Sequence, residues 1–107
     1  MIIFVSSPYS GDVEKNTELA QSYCRFVVEQ GHTPIAPHLL FPQFLDEKSA
    51  WVRATGIGMG LQLLERCDEL WVFSEESPPY ISSGMAIEIH FAEEKQIPVR
   101  YVTASVD

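Results

Sequence analysis

The chain has 107 residues, 46% of them hydrophobic, and a formal net charge of −8. That is a single domain, residues 1–107, with apolar residues for one core that removes about 60–70% of the unfolded surface from water. The acidic balance excludes nucleic-acid backbones and anionic membranes as partners, since both need a basic patch, but it leaves room for a small nucleotide held by backbone N–H groups.

Residues 2–5, Ile2-Ile3-Phe4-Val5, are a continuous apolar run, the pattern of a strand buried on both faces in a parallel sheet. The segment lacks the basic flank of a signal peptide. No run in the chain reaches the roughly 18 apolar residues of a membrane span, so a cytoplasmic protein is expected. Ser6-Ser7-Pro8-Tyr9-Ser10-Gly11 is a loop. The hydroxyls of Ser6, Ser7 and Ser10 are candidate hydrogen-bond donors to a ligand, and Tyr9 can stack on a base or bond a sugar.

Asp12 is placed to cap a helix over residues 13–30. Leu19, Ala20, Tyr23, Cys24 and Val27 form its apolar stripe, and Gly31 ends it. Residues 33–36 form a short second strand, and Pro34 argues for an edge position. His38 follows Pro37 at the end of that strand, where it can hydrogen-bond a ligand, and it opens an apolar loop that runs to Leu45. A second helix is expected over residues 49–66, with Ala54, Ile57, Leu61 and Leu64 toward the sheet. Its Gly56-Ile57-Gly58-Met59-Gly60 run lacks both the preceding strand and the spacing of a dinucleotide-binding loop. Glycines there cost a helix about 1 kcal/mol each, so close packing or a kink is expected to explain them.

Residues 69–73 are the third strand, residues 84–95 the third helix and residues 98–103 the last strand. Cys24 and Cys67 sit among apolar residues and read as buried, reduced thiols. Neither they nor His32, His38 and His90 have the spacing of metal ligands, so no metal and no cofactor is expected. Strands alternating with helices imply an α/β fold: a flavodoxin-like three-layer sandwich with a parallel four-stranded sheet of order 2-1-3-4 and helices on both faces. Ligands of such sheets bind beyond the carboxyl ends of the strands at the switch point, here between the first and third strands. The loops around residues 6–11, 37–45 and 74–84 converge there.

The third helix starts in that crevice with Ser82-Ser83-Gly84. A helix start offers unpaired N–H groups and partial positive charge. These three residues are both a plausible cap and a plausible cradle for an anion. Glu88 lies on the second turn, about 60° from the Met85, Ile89 and Ala92 face. A carboxylate held at a helix start can stay ionised while partly buried, and in that state it can act as a nucleophile. Ile87 and Phe91 extend the apolar surface of this helix and are expected to contribute to a homodimer.

The first strand with its Ser6-Ser7-Pro8-Tyr9 loop, Pro37-His38-Leu39, Cys67-Asp68-Glu69-Leu70-Trp71-Val72-Phe73 and the Ser82-x-Gly84-x-x-x-Glu88-Ile89 spacing resemble the nucleoside 2-deoxyribosyltransferase-like superfamily. Within it the chain looks most like a small bacterial and phage family of unknown function. The resemblance implies a flavodoxin-like sheet, a homodimer and a glutamate nucleophile, which would be Glu88, attacking the anomeric carbon of a nucleoside or nucleotide. Ser82 stands where the nucleotide hydrolases of the superfamily have a phosphate-binding serine. Gly60 stands where characterised members carry an aspartate that assists protonation of the base. Ile3 is aligned with a first-strand tyrosine that orients the glutamate.

The expected function is therefore cleavage or transfer of an N-glycosidic bond through Glu88. Ser7, Tyr9, His38, Ser82, Ser83 and Gly84 would bind a small-molecule nucleotide or nucleoside. A non-catalytic nucleotide-binding module of the same fold, and a dimeric interaction protein with a vestigial cleft, are the alternatives.

Overall fold

A computed structural model describes residues 1–46 and 48–103. The elements run β1 (Ile2–Ser6), α1 (Val13–Glu29), β2 (Thr33–Ile35), α2 (Pro37–Leu40), a 3-10 turn at Phe41–Gln43, α3 (Ala50–Glu65), β3 (Glu69–Ser74), α4 (Ser83–Glu94) and β4 (Val99–Thr103). The strands form one four-stranded sheet in the order β2-β1-β3-β4, parallel throughout. Pro34 is on the edge strand β2, where a residue without an N–H costs the ladder least. Phe4 is in register with Ile35 on one side and Leu70 on the other.

Alternation along the strands divides the core into two layers. Ile3, Val5, Trp71 and Phe73 face α1, where they pack with Tyr23 and Val27. The Tyr23 ring stacks on Phe73 at 4.7 Å. Phe4, Leu70 and Val72 face the other way, against Leu64 of α3 and Met85 and Ala92 of α4. The central strands are buried on both faces, as their unbroken apolar sequence requires. Asp68 ties the start of the sheet: its carboxylate accepts from the Ile2 N–H at 2.6 Å, and its own N–H donates to the Ile2 carbonyl at 2.8 Å.

Asp12 caps α1 by accepting from the Lys15 N–H. Gly31, just past the C-cap Gln30, adopts φ +86°, a conformation that only glycine enters without strain. Among the described residues no helix is long and apolar enough to cross a membrane. Both cysteines are free thiols, and burial pushes each up to about 11, with Asp68 adding to the effect at Cys67.

Three expectations need correction. The segment after β2 is not an extended loop, because Pro37 opens the short helix α2 and the 3-10 turn follows. Proline at a first helical position pre-sets φ, but four residues are too few for periodicity to reveal. Ala54 and Ile57 of α3 are exposed rather than packed on the sheet, Ile57 at the cleft, and the buried positions of this helix are Gly60 and Leu64. The helix is apolar around most of its circumference, so its sequence does not single out a face. The glycines of α3 answer to no tight packing either: a Cβ at Gly56 or Gly58 would meet nothing within 4 Å, and one at Gly60 would make an ordinary 3.8 Å contact with Pro37.

Candidate functional site

Beyond the carboxyl ends of β1 and β3 lies a cleft of about 490 Å³. Most residues singled out from the sequence line it: Ser7, Tyr9 and Ser10 from the β1–α1 loop, His38 from α2, and Ser82, Ser83, Gly84 and Glu88 from the start of α4; Ser6 does not. Pro37, Phe41, Arg53, Gly56, Ile57, Gly60, Tyr80, Met85 and Ile87 complete the lining. Parallel strands with α1 on one face and α3 and α4 on the other bring these separate segments to one end of the sheet.

Glu88 is the acid of the cleft. Its Oε1 accepts a 2.7 Å hydrogen bond from the Ser6 hydroxyl. Ser6 is the last residue of β1 and is fully buried. Burial pushes the Glu88 carboxyl up to about 7, against the opposing pull of the Ser6 hydrogen bond. Desolvation penalises the charged form more than one hydroxyl stabilises it. On the second turn of α4, burial is thus the largest influence on this carboxylate's charge.

The sequence reading put Ser6 in the loop as a ligand donor. The structure makes it a residue of the strand that bonds Glu88, and strand alternation explains why. Ser6 shares a face with Phe4, toward α4, whereas Ile3 packs on α1 with Tyr23. A side chain at position 3 therefore faces the layer opposite Glu88. The signal was available in the sequence, since two-residue periodicity carried one step past Val5 assigns Ser6 to the α4 side.

The next residue, Ser7, reaches a different wall. Its hydroxyl lies 2.8 Å from His38 Nε2, and the Tyr9 ring meets the imidazole edge-on at 6.4 Å. Burial draws His38 down to about 4, so it is neutral at pH 7 and can donate from one ring nitrogen while accepting at the other. The Asn16 amide fixes the loop by donating to the Tyr9 and Ser10 carbonyls at 3.1 and 3.0 Å.

Ser82 caps α4 by accepting from the Met85 N–H at 3.3 Å. Its hydroxyl hydrogen can still donate into the cleft. A Cβ at Gly84 would meet nothing within 4 Å, so this glycine keeps the helix start low at the cleft wall rather than relieving a clash. The Ser74 hydroxyl accepts from the Glu76 and Tyr80 N–H groups, which folds residues 75–80 back on themselves and sets Tyr80 at the cleft edge.

Among the described residues no group of three or more His, Cys, Asp or Glu side chains stands close enough to hold a metal ion. Glu88 is the acid that lines the cleft, and Arg53 of α3 lines it too, donating from one guanidinium nitrogen to the Lys48 carbonyl.

No curated protein sequence matches the chain. Solved structures share its fold. One is a 2-deoxyribosyltransferase from the psychrotolerant bacterium Bacillus psychrosaccharolyticus, with a TM-score of 0.66 and 18% identity over 94% of this chain and 71% of that one. At that identity the likeness is one of fold. A family model described as a domain of unknown function, DUF7768, matches residues 1–102, and the chain belongs to that family.

Proposed function

We propose that the protein cleaves or transfers the N-glycosidic bond of a deoxynucleotide or nucleoside, with Glu88 as the nucleophile. The observation that carries this reading is the Glu88 carboxylate in the cleft, with Oε1 held by Ser6 and Oε2 without a hydrogen-bond partner among the described residues. A half-desolvated carboxylate with one oxygen anchored presents the other in a defined direction, and its poor solvation raises its reactivity. The fold shared with a 2-deoxyribosyltransferase is consistent with the same chemistry.

In this reading Oε2 attacks the anomeric carbon as the carbon–nitrogen bond breaks, and the electron pair leaves with the base, which takes up a proton. Water or a second base then attacks the resulting glycosyl ester from the opposite face, loses a proton and frees Glu88, so configuration is retained. The Ser82 hydroxyl and the first N–H groups of α4 would hold a 5'-phosphate, which favours a nucleotide. Tyr9 and His38 would contact the base or sugar. The free thiols suit a reducing compartment, and a cytoplasmic site of action belongs to the same proposal.

One observation favours a second reading, a nucleotide-binding module without turnover. Gly60 packs beside Pro37, where the superfamily resemblance implies an aspartate, so a carboxylate to help protonate the base is missing there. Incubation with a panel of deoxynucleotides and deoxynucleosides, followed by chromatography for free base, separates the readings. Base release that falls by roughly a thousandfold or more in Glu88→Gln, about 4 kcal/mol of barrier, supports the enzyme. Nucleotide binding without release, little altered in Glu88→Ala, supports the module. Absence of any nucleotide binding leaves the dimeric interaction protein.

A further inference from the structure

We propose that Ser6 is the positioning residue of this site: its hydroxyl fixes which oxygen of Glu88 faces the cleft and favours the ionised carboxylate. The proposal rests on the reading of Glu88 as the attacking group. It starts from a geometric fact, a 2.7 Å hydrogen bond between residues 82 apart in the chain. Ser6 is fully buried at the end of a central strand, in register with Val72 of β3. A hydroxyl there has little freedom, and a site built on a strand is placed more exactly than one built on a loop.

The bond has a direction. An ionised carboxylate only accepts, so the Ser6 O–H donates to Oε1. Donation to the charged form lowers the cost of ionisation, while burial raises it. Without Ser6 only the burial effect would remain, and the carboxylate could also rotate about its last torsion. Among the described residues, the other titratable or charged side chains lining the cleft are Tyr9 from the first loop, His38 from α2, Arg53 from α3 and Tyr80 from the loop before α4. Of these, His38 is bonded to Ser7 rather than to Glu88. Ser6 is thus the described residue that holds the acid directly.

Carbon-13 NMR of the glutamate side-chain carboxyls gives the ionisation midpoint of Glu88 without any substrate, with Glu88→Gln assigning the signal. Ser6→Ala is expected to raise that midpoint by about one pH unit or more, the scale of one hydrogen bond to a charged acceptor. Ser6→Thr, which keeps the hydroxyl, is expected to return it to near the wild-type value. If base is released, Ser6→Ala lowers kcat by roughly tenfold to a hundredfold with KM little changed, and the pH limb of the rate moves with the NMR midpoint. An unmoved midpoint in folded Ser6→Ala overturns the proposal.

If Ser6→Ala does not fold, the wild-type protein still decides. A slowly exchanging Ser6 hydroxyl proton whose shift titrates with Glu88 supports the bond, and a hydroxyl indifferent to that titration overturns it. A midpoint that moves in a protein releasing no base upholds Ser6 while removing the glycosidase reading. Base release with an unmoved midpoint does the reverse.

Discussion

The Ser7 hydroxyl and the His38 imidazole lie 2.8 Å apart and join the segment after β1 to the first turn of α2. With Ser6 bonded to Glu88, neighbouring serines hold two different segments of one cleft, α4 and α2. Successive side chains leaving a strand point to opposite sides, so a Ser-Ser pair at its end can serve an acid on one helix and an imidazole on another.

His38 is expected to remain neutral through the physiological range. Burial lowers it from 6.5 to about 4. A depressed pKa contributes stability that is present above 6.5 and is lost as pH falls toward 4, because the unfolded chain takes up the proton first. Proton NMR of the imidazole should show a midpoint near 4, and a midpoint near 6.5 would contradict the buried geometry. In thermal melts, the stability deficit of His38→Gln relative to wild type should shrink between pH 6.5 and 4.

Glu88 has the opposite sign. Its folded pKa is raised from 4.5 to about 7, so its contribution is present below 4.5 and is lost as pH rises through 7. Glu88→Gln removes the cost of ionising the buried acid. The melting temperature of the variant relative to wild type should therefore climb between pH 4.5 and 8, by an amount on the order of several degrees. A difference that stays flat across that window would show that Glu88 is well solvated in the folded state.

Gly58 should be improvable. A Cβ there meets nothing within 4 Å, and the residue lies inside α3 but outside the cleft lining. Gly58→Ala is expected to stabilise by roughly 0.5–1 kcal/mol, since alanine restricts the unfolded chain and suits the helix. Gly31→Ala, at φ +86°, should instead destabilise by about 1 kcal/mol. Urea midpoints of the two variants should move in opposite directions.

Ile87 is 42% exposed beside the cleft, whereas Phe91 packs against its own core under the Lys95 ammonium. Any homodimer built on α4 should therefore depend on Ile87 far more than on Phe91. Sedimentation velocity should show a concentration-dependent dimer that Ile87→Asp converts to monomer. A wild-type protein that stays monomeric at the highest attainable concentration would end this proposal.

Much of the architecture was legible in the residues themselves. Unbroken apolar runs at β1 and β3 specify strands covered on both faces, and Pro34 marks the edge. Asp12, Gly31 and Ser82 punctuate helices through local chemistry that needs no tertiary context. The gathering of the candidate residues on one cleft was legible too, because in a parallel sheet of known order every loop after a strand ends on the same rim. Less legible was α3. Its apolar circumference hid which side meets the sheet, and its glycines, expected to relieve crowding, face open space at Gly56 and Gly58.

The sequence by itself determined the strand order, the rim where the cleft opens and the candidacy of Glu88, because periodicity, turn residues and caps are local properties of the chain. Only the tertiary structure decided how Glu88 is held and charged. Its partner Ser6 is 82 positions away, its proton affinity is set by burial among several elements, and Ile3 turns toward the other layer. Desolvation and long-range hydrogen bonds depend on which surfaces close over a group, and no local pattern encodes that closure.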